Sequence, residues 1–284
     1  MTSRDDLAGL DGLERYYDTA PRTGGARAED FGPLTLFVQE GDGWPYYARP
    51  SLGHAPAASV ADVARVRARQ RELGVPEAFE WVAENTPSLR AAVEGAGLHV
   101  HAHPLMVLDL DQVHVPPHPE VRMLDAEDPL LRAAVTVPML AFAAPGTALG
   151  EAGPAELAAA TADPASGARR ARVARRIGSG LSGVAAAVRG DVVLCSGQYI
   201  PVGTTAEVVG VGTLPAARRQ GLAQGVTAAL VADALARGVR TVFLSAGDED
   251  VARLYGRIGF RRVGTALIAE PPQEEVAEAE QAAE

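Results

Sequence analysis

The densest run of chemistry in the sequence is Ala206-Glu207-Val208-Val209-Gly210-Val211-Gly212-Thr213-Leu214-Pro215-Ala216-Ala217-Arg218-Arg219-Gln220-Gly221-Leu222-Ala223. It reads as a strand, a glycine-bearing turn and the start of a helix. Such a turn aims the free amides of the first helical turn at one point, and the helix dipole adds positive potential there. A diphosphate fits that arrangement. Gly221 lets the backbone come close, Arg218 and Arg219 supply charge, and the small Ala223 keeps the helix start open. Alone, the turn also fits an ordinary strand-to-helix connection.

A second element follows one strand later, Asp248-Glu249-Asp250-Val251-Ala252-Arg253-Leu254-Tyr255-Gly256-Arg257-Ile258-Gly259-Phe260. Read from residue type alone, Tyr255 is either a proton donor or a core aromatic with a satisfied hydroxyl, and Glu207 either a base or a strand carboxylate without a partner. Together, Arg-x-x-Gly-x-Ala and Leu-Tyr-x-x-x-Gly-Phe resemble the GCN5-related N-acetyltransferase superfamily, specifically over Ala206–Ile268 and loosely back to Glu120. A dinucleotide fingerprint fits poorly, because it wants three glycines at Gly-x-Gly-x-x-Gly.

The resemblance implies a site residue by residue. Val211, Gly212 and Thr213 should pair through their backbone with the pantetheine arm of acetyl-CoA, like an added strand. Arg218, Arg219, Gln220, Gly221, Leu222, Ala223 and Gln224 should hold the diphosphate. Tyr255 should protonate the departing thiolate, a phenol of pKa about 10 facing a thiol of about 8.5. Glu207 takes the position of a base acting directly or through water, and amides near Val209 and Val211 are the oxyanion donors. Asp248 stands where the superfamily usually has an Asn against the cofactor, so that contact departs from the pattern.

Composition narrows the alternatives. All 26 basic residues are Arg, which removes Schiff-base, P-loop and kinase lysines together. The single Cys195 closes no intramolecular disulfide and builds no thiolate metal site, which fits a reducing compartment. Neither a signal-peptide core nor an apolar run long enough to cross a bilayer is present, so a cytoplasmic protein without membrane association is expected. His99, His101 and His103 share a strand face but are too widely spaced to converge on one ion, so no metal is expected. Arg169, Arg170, Arg172, Arg175 and Arg176 form a basic helical stretch without aromatic platforms, in a chain of net charge −10, so no nucleic acid is expected.

The elements that must position these residues form a mixed sheet with helices on its faces, an α/β fold in two tandem domains. The proline cluster Pro116-Pro117-His118-Pro119 divides residues 1–115 from a catalytic domain, residues 119–270, and Pro271 opens an acidic tail over 271–284 expected to be disordered. Superposing Gly97-Leu98 on Gly259-Phe260, an offset of 162, lays Phe79–Val82 on Thr241–Ser245 and sets Val93 opposite Tyr255. Residues 1–115 thus read as a degenerate copy that lacks the chemistry, with an unrelated α/β domain as the alternative. The expected activity is acetyl transfer from acetyl-CoA to an amine of a small molecule or an exposed amino group, a cationic acceptor being favoured by the acidic surroundings. The alternative is a non-catalytic acyl-CoA sensor or scaffold, and a homodimer is compatible with either.

Overall fold

The computed structural model describes residues 9–40, 45–53, 57–112 and 118–272. In chain order these form α1 (Leu10–Thr23), β1 (Arg27–Asp30), β2 (Leu34–Val38), β3 (Ala48–Pro50), α2 (Val60–Leu73), β4 (Phe79–Val82), α3 (Leu89–Gly95), β5 (His99–Leu108), β6 (Val121–Leu124), α4 (Leu131–Ala134), α5 (Val137–Ala143), α6 (Pro154–Ala162), α7 (Pro164–Gly178), β7 (Gly183–Arg189), β8 (Val192–Val202), β9 (Thr205–Thr213), α8 (Leu222–Ala236), β10 (Thr241–Ser245), α9 (Glu249–Gly256) and β11 (Phe260–Glu270). The mixed α/β class expected from the sequence is the class observed.

Two compact units divide the chain differently from the expected cut at 115/119. One takes in residues up to Pro104 together with those from Val263 onward, and the other is Leu105–Arg262. Residues 113–117 of the expected boundary lie outside the described residues.

In the first unit the strand order is β1-β2-β3-β4-β11. All neighbours are antiparallel except β3 and β4, which are parallel across the α2 crossover. Its last strand comes from the far end of the sequence: Ala266–Ala269 pair with Val82–Phe79. Leu267 and Ala269 are accordingly buried with Phe79, Trp81, Leu89 and Val93 in this unit's core. Sequence reading places that strand in the other domain, because strand exchange leaves no mark on hydrophobic pattern; β11 keeps the same burial alternation whichever sheet receives it. Helix α1, not anticipated from the sequence, is fastened by its buried Glu14, whose carboxylate accepts from the Val82 amide at 3.2 Å and lies 3.7 Å from Arg49 Nη1.

In the second unit the order is β5-β10-β9-β8-β7-β6, with β5 contributing its final residues. Here β9 and β10 are the parallel pair, joined by α8 as the crossover. The core gathers Val184, Ala186, Leu194, Val208, Leu230 and Ile258. Helices α4 and α5 do not run on as one, since Pro138 lacks the amide a helix interior needs and is accommodated only where α5 restarts.

Candidate active site

The β9/β10 ladder is short. Thr205, Ala206 and Glu207 pair with Thr241, Val242 and Phe243, and there it ends. Val208–Thr213 keep β8 on one side and, among the described residues, no strand on the other, so a wedge opens between β9 and β10. The cause lies in β9. Ser196 pairs with Gly212 but Gln198 with Val209, so one extra residue bulges from β9, and Gly210 takes it up at φ +62°. A bulge bends its strand and turns its amides, which separates β9 from a partner that runs straight.

Beyond the wedge, Pro215–Ala217 form one 3-10 turn, Arg219 sits at φ +63°, and Gly221 caps α8 at φ +77°. Arg219 is the one non-glycine residue with positive φ among those described, in a region that costs a side-chain-bearing residue about 1 kcal/mol. Gly221 offers no side-chain cap, and a Cβ placed there would meet nothing within 4 Å. The first amides of α8 are therefore left without a capping side chain at an open spot, the arrangement a diphosphate requires.

Of the residues expected around that anion, the structure gives Arg218 a different partner set. Its guanidinium donates to the carbonyls of Ala148 and Ala141, each at 2.9 Å, and of Ala144. Gln220 is tied at its side-chain carbonyl by Arg189 Nη2 at 2.9 Å, while the same guanidinium pairs with Glu120 and holds that carboxyl below its usual range. Asp248 caps α9, its Oδ1 accepting from the Val251 amide at 2.8 Å. Asp and Asn cap helix starts about equally well, so this role admits an acid at the position where the resemblance implies Asn.

Tyr255 is buried, its ring edge-on to Phe260 at 5.9 Å between centroids. Burial, reinforced by the neighbouring Cys195 thiol, pushes its phenol well above the ordinary tyrosine range. Cys195 pairs with Thr213 across the β8/β9 ladder and accepts from Thr213 Oγ1 at 3.2 Å. Glu207 is half-buried at the apex of the wedge, paired with Ile200 on one side and Phe243 on the other.

Register fixes which residues share a face. Glu207, Val209 and Gly212 oppose Ile200, Gln198 and Ser196, so they point to one side, whereas Thr213 opposes Cys195 and points to the other. Glu207 and the Cys195 group about Tyr255 therefore lie on opposite faces of β9. Helices α4 and α5 cover the Glu207 face: Ser196 Oγ donates to the Ala134 carbonyl at 2.6 Å, and a Cβ on Gly212 would stand 2.8 Å from Ala141 Cβ. Sequence reading missed these covering helices as part of the site, and missed the bulge; Gly210 within a strand pattern was the available signal for the second.

His99 and His101 are exposed on β5, and no group of three or more His, Cys, Asp or Glu among the described residues could hold a metal. On α7, Arg170 and Arg176 donate to the carbonyls of Ala126 and Leu181, anchoring the helix to its own unit. No helix among the described residues is long and apolar enough to cross a membrane.

The parallel pair splayed by a bulge and the uncapped helix after it both lie within residues 161–260, which match the acetyltransferase (GNAT) family model. These residues are a GNAT domain. The chain is similar over nearly all its length to a GCN5-related N-acetyltransferase from Kribbella flavida, at 21% identity and TM-score 0.66, covering 95% of this chain and 98% of that one. It is similar to a GNAT-family acetyltransferase structure from Novosphingobium aromaticivorans, at 19% identity and TM-score 0.51, covering 94% and 95%. A tandem GNAT protein of the clavulanic acid biosynthesis pathway matches at 16% identity and TM-score 0.53, covering 83% of this chain and 77% of that one. At these identities the shared property is the fold, which extends through both units of the chain. No curated protein matches the sequence.

Proposed function

We propose that the second unit transfers an acetyl group from acetyl-CoA directly to an amine. The observation that carries this reading is the wedge at Val208–Thr213 opening beside the uncapped N-terminus of α8, since an amide-rich arm ending in a diphosphate needs both in that order. When bound, acetyl-CoA supplies a thioester whose C–S bond breaks as the amine's C–N bond forms, one proton leaving the nitrogen and one reaching the sulfur.

This chain's residues divide the remaining tasks by position. Val211, Gly212 and Thr213 bind the pantetheine arm along the open edge of β9, and the amides of Arg219–Gln224 take the diphosphate. The amides about Gly210, turned by the bulge, donate to the acetyl oxygen as it gains charge. Glu207 receives the amine proton, directly or through water, from the face covered by α4 and α5. Tyr255, across the sheet, donates to the sulfur. Its raised pKa keeps the phenol protonated throughout the neutral range, so it serves as a hydrogen-bond donor that surrenders its proton only as the thiolate develops.

The first unit is proposed to be catalytically silent, because buried Val93 stands where Tyr255 stands in the repeat. Thiol release from acetyl-CoA in the presence of a panel of amines tests the reading. Release that depends on the amine supports transfer; cofactor binding without amine-dependent release would mean an acyl-CoA sensor instead.

A further inference from the structure

The stretch Ala133–Gly150 lies between Arg132 and Glu151 and contains no charged residue. It includes three of the large apolar side chains most open to solvent: Met139 is 50% exposed, Phe142 61% and Leu149 65%. An uncharged, solvent-facing lip on a chain with 22% charged residues calls for a reason. The lip sits on the proposed acceptor side, since Ala141 of α5 lies directly over Gly212 on the face that Glu207 shares.

The same stretch is laced to the cofactor loop. The Gly150 amide donates to the Pro215 carbonyl at 3.2 Å and the Ala216 amide to the Ala152 carbonyl at 3.0 Å. Arg218 closes the lacing, its one guanidinium collecting the carbonyls of Ala141, Ala144 and Ala148. These three carbonyls come from the end of α5 and the segment after it, while Arg218 stands three residues before the cap of α8. A planar fork with several fixed donors can gather three acceptors in this way; a lysine ammonium, a flexible point charge, holds them less rigidly.

We propose that Arg218 is a positioning residue that joins the acceptor lip to the diphosphate loop, so that cofactor binding orders Met139, Phe142 and Leu149 as an apolar seat for an amine with a hydrophobic body. This rests on the acetyl-transfer reading above. The acceptor class follows from the lip: an aromatic or alkyl amine removes apolar surface from water there, whereas a polycation finds no carboxylate between Ala133 and Gly150.

The test begins with calorimetry of coenzyme A on the whole chain. Absent binding would sink the acyl-CoA reading itself, whatever Arg218 does. Given binding, hydrogen exchange over residues 141–152 should slow when coenzyme A is added to the wild type. In Arg218→Met that slowing should disappear, while coenzyme A affinity changes less than about 5-fold and the acceptor KM rises at least 10-fold at similar kcat; Arg218→Lys should recover part of both effects. A loss of coenzyme A affinity of 100-fold or more would instead make Arg218 a phosphate ligand and overturn the proposal, as would coenzyme A-induced slowing over 141–152 that persists in the variant. Phe142→Ser and Leu149→Ser, both at exposed positions, guard against a misfolded Arg218 variant. Each should raise the KM for phenethylamine about 10-fold and leave that for spermidine unmoved, and a wild type that prefers spermidine would overturn the assigned acceptor class.

Discussion

Ser59 and Asp62 close a reciprocal cap on α2: the Asp62 amide donates to Ser59 Oγ at 3.2 Å, and Asp62 Oδ2 accepts from the Ser59 amide at 2.8 Å. At the 162-residue offset these two positions become Gly221 and Gln224, the bare cap and third residue of α8. One helix start is filled by its own side chains and carries a carboxylate; its counterpart is open. That single difference explains why an anion is expected at the second unit and not at the first.

Transferring the carboxylate should transfer the silence. Gln224→Asp places an acid at the third position of α8 without disturbing the left-handed backbone at Gly221. Coenzyme A affinity should fall about 10-fold to 100-fold, since a carboxylate now competes for the amides and repels the phosphates, while the thermal midpoint holds or rises slightly. Calorimetry beside a melting curve reads both, and unchanged affinity would remove the α8 N-terminus from the site.

Tyr255→Phe keeps the ring against Phe260 and deletes only the hydroxyl. With a donor to sulfur lost, kcat should drop about 100-fold to 10,000-fold, or roughly 3 to 5 kcal/mol, at nearly constant cofactor affinity. Steady-state thiol release measures it. Wild-type kcat with the best acceptor would return Tyr255 to a packing role.

Cys195 sets an alkaline limit on stability. Burial pushes its thiol up to about 12, while in the unfolded chain it ionises near the ordinary value of about 8.5. Because the folded pKa is the higher one, the contribution is intact below the unfolded pKa and is lost as pH rises from there towards the folded one. Between pH 8 and pH 10 the loss should reach about 2 kcal/mol. Urea midpoints across that range should fall more steeply for the wild type than for Cys195→Ala; parallel slopes would show that the thiol is not the group responsible.

The exchanged strand makes the first unit dependent on the end of the chain. Leu267 is buried and pairs with Trp81 in register. Leu267→Ala should therefore destabilise the first unit by about 2 to 5 kcal/mol, visible as an earlier urea transition in tryptophan fluorescence. A shift below about 1 kcal/mol would contradict the assignment of β11 to that unit. By the same logic residues 1–115 expressed alone lack a core strand and should not fold cooperatively.

The sequence by itself determined the local features of this protein. The strand, turn and helix about Gly221 and the helix bearing Tyr255 were legible because turn chemistry and periodicity act over a few neighbouring residues. Tertiary structure alone decided three others. The strand β11 pairs with β4 through backbone groups that every sequence possesses, so no side-chain pattern announces the exchange. The wedge depends on register between β8 and β9, where one extra residue redirects the strand. Arg218 was legible as a positive charge beside a phosphate loop, yet its partners are carbonyls 70 to 77 residues away, and carbonyls carry no signature in the sequence.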